Sequence, residues 1–215
     1  MKIIDTRPDR GLEQKFDILN IPLYDIHPIE QAININNYET IIFQSPSAVK
    51  NFRQINNLEN KRIIAMGPGT AKELKKFGYV AEMPNSKYNS KGVISLLLKT
   101  NISGKTLVIK GEEGLSQIAD YLNSASFKTD EINVYSRVPF DSYDGIKEEF
   151  VNCDAVIFTS TLSVQLYFNN IFVKNEEVTY LTISSRIKEA INSYGQEARE
   201  INYFAEDLIT EIKAI

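Results

Sequence analysis

Residues 38–52 read YETIIFQSPSAVKNF, and residues 153–168 read CDAVIFTSTLSVQLYF. Each stretch contains a short apolar run with the composition of a buried strand, then a serine, then apolar residues at helical spacing. Ser45 of the first stretch corresponds to Ser160 of the second. The two stretches predict equivalent turns from a strand into a helix, and therefore an internal repeat.

A second matched pair follows the first, because residues 63–78 read IIAMGPGTAKELKKFG and residues 180–195 read YLTISSRIKEAINSYG. Each reads as a strand, a turn of small residues, a helix, and a glycine suited to a helix C-terminus. A third pair, residues 88–98 and 203–212, reads as a capped helix in both halves. Strands that alternate with helices predict mostly parallel sheets.

The second half of the sequence ends one strand short of the first, so we expect the N-terminal strand to complete it. This predicts one discontinuous domain of residues 1–25 with 141–215, and an inserted domain of residues 30–130. Residues 18–28 and 131–139 are rich in β-prone residues and are expected to pair as a two-stranded hinge. The expected fold class is α/β, with two similar parallel-sheet domains joined by that hinge. Ligands are expected to bind beyond the carboxyl ends of the strands.

The composition excludes several kinds of site. Cys153 is the only cysteine and His27 the only histidine, which excludes an intrachain disulfide and argues against a His/Cys metal site or a Ser-His triad. We expect both side chains to be structural. The net charge is −4 and no basic stripe stands out, so no nucleic-acid binding is expected.

No apolar run approaches the roughly 20 residues of a membrane span, and the N-terminus turns polar too early for a signal peptide. We therefore expect a cytoplasmic protein with no membrane contact.

Five short motifs occur in order along the chain: TRP from Thr6, SPSAV from Ser45, AMGPGTA from Ala65, VYSR around Tyr135 and DAVIFTS from Asp154. Their order and spacing resemble the uroporphyrinogen-III synthase family over essentially the whole chain. The resemblance implies two lobes with a cleft between them. It also implies cyclisation of hydroxymethylbilane to uroporphyrinogen III in tetrapyrrole biosynthesis, with inversion of ring D and loss of water. Neither a metal nor an organic cofactor is implied.

The implied substrate is a polycarboxylate, and helix N-termini can bind anions through unpaired N–H groups and a partial positive charge. The expected substrate-binding residues are Arg7, Ser45, Ser47, Ala48, Gly67, Thr70, Lys110, Gly111, Ser160, Thr161, Ser163 and Arg186. The alternative for the serines is ordinary helix capping, which does not exclude anion binding. For Arg7 and Lys110 the alternative is a solvated surface charge.

Tyr135 matches the tyrosine of the family's V-Y segment, and the resemblance makes it the expected catalytic residue. A phenol with a pKa of ~10 is protonated at neutral pH and can donate to the leaving hydroxyl. The alternative is that Tyr135 packs the hinge.

Two positions depart from the family pattern, because Ile187 stands where a threonine is expected and Leu115 lies near the place of an arginine. We expect Arg186 to offer charge at the same turn as Ile187. These departures motivate an alternative function, a non-catalytic relative that binds an acidic tetrapyrrole. A nucleotide site at Gly67-Pro68-Gly69 is disfavoured because a third glycine and a GK[ST] sequence are missing.

The expected partners are the linear tetrapyrrole substrate and, in transient contact, hydroxymethylbilane synthase. We expect the chain to act as a monomer.

Overall fold

The computed structural model describes residues 1–8, 18–173, 177–205 and 207–213. Its strands are β1 (Ile3–Asp5), β2 (Ile18–Asn20), β3 (Tyr24–Pro28), β4 (Thr40–Phe43), β5 (Arg62–Ala65), β6 (Thr106–Gly111), β7 (Thr129–Pro139), β8 (Ala155–Phe158), β9 (Thr179–Thr182) and β10 (Ala198–Glu200). Its helices are α1 (Pro46–Asn51), α2 (Pro68–Lys76), α3 (Ser90–Leu98), α4 (Gln117–Ser124), α5 (Asp144–Val151), α6 (Thr161–Asn170), α7 (Ser185–Asn192) and α8 (Leu208–Lys213). Short 3₁₀ turns cover Ile35–Asn37 and Ile55–Asn57.

The chain divides into two compact units, a first unit of Met1–Asp25 with Val138–Ile215 and a second unit of Ile26–Arg137. One five-stranded sheet has the order β10-β9-β8-β1-β2, and the other has the order β3-β7-β6-β4-β5. All neighbours in the first sheet are parallel, as are β7-β6, β6-β4 and β4-β5 in the second. The predicted α/β class with two parallel sheets is confirmed. The hinge of residues 18–28 and 131–139 stays a prediction.

The register of the two sheets follows the internal repeat. Ile42 of β4 pairs with Val108 of β6, and Ile157 of β8 pairs with Asp5 of β1. Ile42 and Ile157 occupy the same place in the repeated sequence, so Val108 and Asp5 are structurally equivalent. The strand β1 at the N-terminus is therefore the counterpart of β6.

The same correspondence extends one strand further. Val108 pairs with Glu131 of β7, and Asp5 pairs with Asn20 of β2. Glu131 and Asn20 are thus equivalent positions, and β2 is the counterpart of the first part of β7. The strands β6 and β7 beside β4 therefore correspond to the strands β1 and β2 beside β8.

The central strands are apolar on both faces because helices cover both faces of the sheet. In the second unit, Phe43 packs in one core cluster with Ala48 and Val49 of α1. Ile42, next to it on β4, points to the other face and packs in a second cluster with Val93 of α3. With both faces covered, the carboxyl ends of the strands are where polar side chains and free backbone groups can gather.

The helices in the described part of the chain are short, and α6 has 10 residues. None of these helices combines the length and the apolar composition that a membrane crossing requires.

Candidate functional site

Three predicted site residues meet at the carboxyl edge of the second unit's sheet. Phe43 of β4 is aligned with the last residue of β5 and with the matching residue of β6. Two residues beyond this row lie Ser45, Gly67 and Gly111. The parallel pairing therefore brings three separate segments of the sequence to one edge.

Tyr135 of β7 is fitted between Ser45 and Gly111. Its phenol oxygen lies 3.0 Å from Ser45 Oγ. A Cβ atom on Gly111 would lie 2.5 Å from Tyr135 Cζ and 2.8 Å from the phenol oxygen, so only glycine leaves room for the ring. The tyrosine is 2% exposed, whereas Ser45 is half-buried. The Ser45 hydroxyl is thus the polar group that connects the buried phenol with the edge of the sheet.

Two of the predicted serines cap helices. Ser45 Oγ accepts a hydrogen bond of 3.1 Å from Ala48 N at the start of α1, and Ser160 Oγ accepts one of 3.1 Å from Ser163 N at the start of α6. Each cap satisfies one of the backbone N–H groups that a helix start leaves unpaired. The remaining predicted residues of these turns, Ser47 and Thr161, are half-buried.

In contrast, α2 and α7 begin without a cap from any described side chain. Gly67 precedes α2 and has no side chain to offer, and Ser184 precedes α7 without making a capping hydrogen bond. The first N–H groups of these helices can therefore bind an anionic ligand. Thr70 is buried in the first turn of α2. At α7 a carboxylate is already close, since Ser185 Oγ donates to Glu200 Oε2 at 3.1 Å.

Arg7 is tied to a buried acid at the end of β1. Its Nε lies 3.2 Å from Asp5 Oδ2, and its Nη1 donates to the hydroxyl of Tyr203 at 3.1 Å. Tyr203 in turn donates to Asp5 Oδ2 at 2.7 Å. Asp5 is 1% exposed, and this burial raises the pKa of its carboxyl, an effect that the Arg7 charge opposes. Arg7 is therefore fixed in place, with part of its charge compensated.

Lys110 lies in a separate network at the end of β6. Its Nζ donates to the Gly114 carbonyl at 2.7 Å and to Ser116 Oγ at 3.1 Å, and it lies 3.1 Å from Glu131 Oε1. The lysine is 5% exposed. These contacts favour a role in ordering the loop after β6 over direct binding of a substrate carboxylate.

Arg186 and Ile187 lie side by side in the first turn of α7. Arg186 is exposed, whereas Ile187 is 2% exposed and belongs to the interior. Isoleucine cannot supply the hydroxyl that the family pattern places here. Arg186 is consequently the polar side chain that this pair of positions presents to solvent.

Tyr24 was not among the residues predicted from the sequence, yet its phenol oxygen lies 3.2 Å from Ser160 Oγ. A signal was present, because residues 18–24, ILNIPLY, and residues 129–135, TDEINVY, both end in tyrosine and begin with the equivalent strands β2 and β7. The link from Arg7 to Tyr203 was missed as well. This hydrogen bond joins segments far apart in the sequence, so no local sequence pattern predicts it.

Neither Cys153 nor His27 belongs to these arrangements. Cys153 is buried, which raises the pKa of its thiol to about 11 and keeps it protonated at neutral pH. His27 is exposed on β3. In the ranges 1–8, 18–173, 177–205 and 207–213, no group of three His, Cys, Asp or Glu side chains is arranged to hold a metal ion.

Comparison with known proteins identifies the family to which the chain belongs. Residues 11–208 match the family model described as uroporphyrinogen-III synthase HemD. The chain belongs to the uroporphyrinogen-III synthase family. No curated protein sequence matches it significantly.

Two solved structures of this family have a similar fold. Uroporphyrinogen-III synthetase from Helicobacter pylori is 16% identical, with a TM-score of 0.70 over 99% of this chain and 98% of that one. A mutant uroporphyrinogen III synthase from Thermus thermophilus is 13% identical, with a TM-score of 0.58 over 99% of this chain and 96% of that one. At such identities the likeness establishes the fold.

The family match confirms the resemblance seen in the five motifs, and it covers both halves of the repeat. Uroporphyrinogen-III synthases are lyases of tetrapyrrole biosynthesis. The chain is therefore an enzyme of this class, with a tetrapyrrole as its substrate.

The close approach of Gly111 to Tyr135 makes Gly111→Ala a sharp test of this geometry. The added methyl group must displace the ring or the strand, and overpacking of this kind costs about 1–3 kcal/mol. We expect a lower melting temperature by circular dichroism. Gly145→Ala is the matched control, because a Cβ there meets no atom within 4 Å. Equal melting temperatures for the two variants would contradict the fit.

Proposed function

We propose that the chain cyclises hydroxymethylbilane to uroporphyrinogen III, with inversion of ring D and loss of water. The observation that carries the proposal is the tyrosine hydroxyl of Tyr135, held by Ser45 beside Gly111 at the carboxyl edge of a sheet, in a chain of this family. We assign the proton donation to Tyr135 and the positioning of its hydroxyl to Ser45.

The reaction requires little covalent chemistry from the protein. The C–O bond of the hydroxymethyl group breaks, and the oxygen leaves as water after accepting a proton. The electron-rich pyrrole stabilises the resulting cation, and the closing ring later loses one proton, so that water is the net product. Orientation of the ends of the substrate and exclusion of solvent water are therefore the main tasks.

We assign substrate binding chiefly to the uncapped starts of α2 and α7. At α2 the backbone N–H groups after Gly67 and the Thr70 hydroxyl are suited to a carboxylate. At α7 the exposed Arg186 adds a positive charge that offsets the nearby Glu200. Each such interaction contributes about 0.3–1 kcal/mol when exposed, so several carboxylates must be bound together for useful affinity.

The alternative is a non-catalytic relative that binds an acidic tetrapyrrole, which the family match over residues 11–208 disfavours. The observation in its favour is that Ile187 is buried in place of the expected threonine, and that Arg7 and Lys110 already pair with carboxylates. Action as a monomer, transient contact with hydroxymethylbilane synthase and a cytoplasmic location stay predictions.

A coupled assay tests the proposed function. Porphobilinogen and a deaminase generate hydroxymethylbilane, which closes spontaneously to the type I isomer. Added protein should divert the product to type III, detected by oxidation and chromatographic separation of the porphyrin isomers. Type I alone, together with binding of uroporphyrinogen by the folded protein, would favour the non-catalytic function.

Tyr135→Phe removes the proposed proton donor and keeps the ring that Gly111 accommodates. General acid catalysis is worth about 10²- to 10⁴-fold, and since water can substitute, we expect kcat to fall about 10²-fold with little change in KM. Tyr121→Phe, an exposed tyrosine on α4 of the same unit, is the control and should keep full activity. An unchanged kcat for Tyr135→Phe would exclude Tyr135 as the donor.

Arg186→Ala tests the proposed charge at the start of α7. Exposed charge pairs contribute up to about 1 kcal/mol, so we expect KM to rise about two- to five-fold with kcat nearly unchanged. The effect should shrink as salt is added, since ions screen exposed charges. Arg53→Ala, which removes an arginine with a 61% exposed side chain, should leave KM unchanged. Equal KM values for the Arg186 variant and the wild type would remove Arg186 from the site.

A further inference from the structure

The side chain of Tyr88 lies against the residue that precedes α2. A Cβ atom on Gly67 would lie 2.9 Å from Tyr88 Cβ and 3.3 Å from Tyr88 Cγ, so only glycine leaves room for the tyrosine. Gly67 is buried, whereas Tyr88 is 45% exposed. Tyr88 therefore presents an aromatic surface at the carboxyl edge of the second unit's sheet, beside the uncapped first turn of α2.

Thr70 is a second group at this helix start that a ligand would satisfy. The residue is 4% exposed, and its hydroxyl makes no hydrogen bond within the described part of the chain. Side chains in a helix lean toward its N-terminus, which directs the Thr70 hydroxyl toward the start of α2. A buried hydroxyl without a partner is costly, and a carboxylate bound at the helix start would supply the missing acceptor.

The internal repeat provides a counterpart for Tyr88. Val93 of α3 packs in one core cluster with Ile42, and Leu208 of α8 packs in another with Ile157, the equivalent isoleucine. Val93 and Leu208 are therefore equivalent positions. A tyrosine stands five residues before each of them, Tyr88 in the second unit and its counterpart in the first, residue 203.

The two tyrosines differ in how their hydroxyls are used. The hydroxyl of Tyr203 donates to Asp5 Oδ2 at 2.7 Å and accepts from Arg7 Nη1 at 3.1 Å. The Tyr88 hydroxyl has no hydrogen-bond partner in the ranges that the structure describes. The first unit thus uses its tyrosine to hold an internal ion pair, while the second leaves the ring and the hydroxyl of its tyrosine open to a ligand.

The loop before α3 determines where Tyr88 stands. Asn89 caps α3, because its Oδ1 accepts a hydrogen bond of 3.1 Å from Gly92 N. Asn89 N donates to the Lys87 carbonyl at 2.7 Å. Lys87 itself has a φ of 57°, a conformation that side chains other than glycine rarely adopt. Held on both sides in this way, the backbone of Tyr88 is ordered before any ligand arrives, which lowers the entropic cost of binding.

We propose that Tyr88 is a substrate-binding residue whose ring packs against a pyrrole ring of the linear tetrapyrrole. This inference rests on the proposed function, in which the start of α2 and Thr70 bind a carboxylate. A pyrrole is flat and electron-rich, and it carries its carboxylates on short side chains. An aromatic surface directly beside an anion site therefore suits one pyrrole unit, with the ring on Tyr88 and the carboxylate at the helix start.

The experiment measures binding and turnover separately. Binding of uroporphyrinogen III is measured by anaerobic titration calorimetry, and KM and kcat come from the coupled isomer assay. Tyr88→Ala removes the ring, and loss of one aromatic contact should raise both Kd and KM about two- to ten-fold with kcat nearly unchanged. Tyr88→Phe restores the ring and should recover most of the affinity that Tyr88→Ala loses.

Phe77→Ala is the matched control, because it removes an aromatic side chain of similar exposure, 38%, at the opposite end of α2. Its Kd for uroporphyrinogen III should equal that of the wild type. A rise in Kd equal to that of Tyr88→Ala would overturn the proposal, since both variants would then report a general loosening of the helix. A wild-type Kd for Tyr88→Ala would overturn it as well.

A second variant tests the contact even if Tyr88→Ala folds poorly. The chain contains no tryptophan, so Tyr88→Trp introduces a single fluorescent probe and keeps an aromatic ring at this position. Uroporphyrinogen III is colourless, and a change in tryptophan emission on titration therefore reports contact. We expect such a change for Tyr88→Trp and none for Phe77→Trp. Unchanged emission from Tyr88→Trp at saturation would overturn the proposal.

The outcomes separate this inference from the proposed function. If the wild type yields the type I isomer alone but binds uroporphyrinogen III more tightly than Tyr88→Ala does, the proposed function fails and the contact stands. If the wild type yields type III and Tyr88→Ala matches it in Kd and KM, only the contact fails. If the wild type neither binds nor converts, both fail.

Discussion

In both sheets the strand that precedes the serine-capped helix, β4 in one and β8 in the other, pairs in parallel with a neighbour on each side. Ile42 of β4 aligns with residues of β5 and β6, and Ile157 of β8 aligns with residues of β1 and β9. Backbone hydrogen bonds fix this alignment, and a slip of one residue would turn every buried isoleucine toward the wrong face. Every polar contact of the candidate site depends on it, because Ser45, Gly67, Gly111 and Tyr135 come from four different strands or strand ends.

A polyanionic substrate suggests a site with unpaired cationic side chains, but the cations at these strand ends are paired with acids. Arg7 and Lys110, the two cations at equivalent strand ends, already face Asp5 and Glu131. Both acids lower the net attraction that these side chains can offer a carboxylate. Backbone N–H groups at the starts of α2 and α7 carry no such compensation from a capping side chain, and they do not require a buried unpaired charge. Binding through helix starts is compatible with the chain's net charge of −4.

Much of the fold could be read from the sequence, because repeated apolar strands followed by serine or glycine turns leave few alternatives to two parallel sheets. The capping roles of Ser45 and Ser160 followed from the same pattern. The partners of Lys110 and Arg7 could not be read, since they depend on which side chains of neighbouring strands and distant segments come within reach. The role of Tyr24 could be predicted only in part. Its equivalence to Tyr135 is visible in the sequence once β2 and β7 are known to be counterparts, but only the sheet register establishes that.

The pairing of β1 with β8 joins residues more than a hundred positions apart, since Ile3 pairs with Ala155. During synthesis on the ribosome, β1 emerges long before the strand that it must join. The unit of Ile26–Arg137 is one continuous stretch of the chain, so its strands can pair as soon as that stretch has been made. Domains generally fold as units during synthesis, and contacts of long sequence separation form slowly. The inserted unit is therefore expected to be complete first, while β1 can pair with β2 but lacks its second neighbour until β8 has been made.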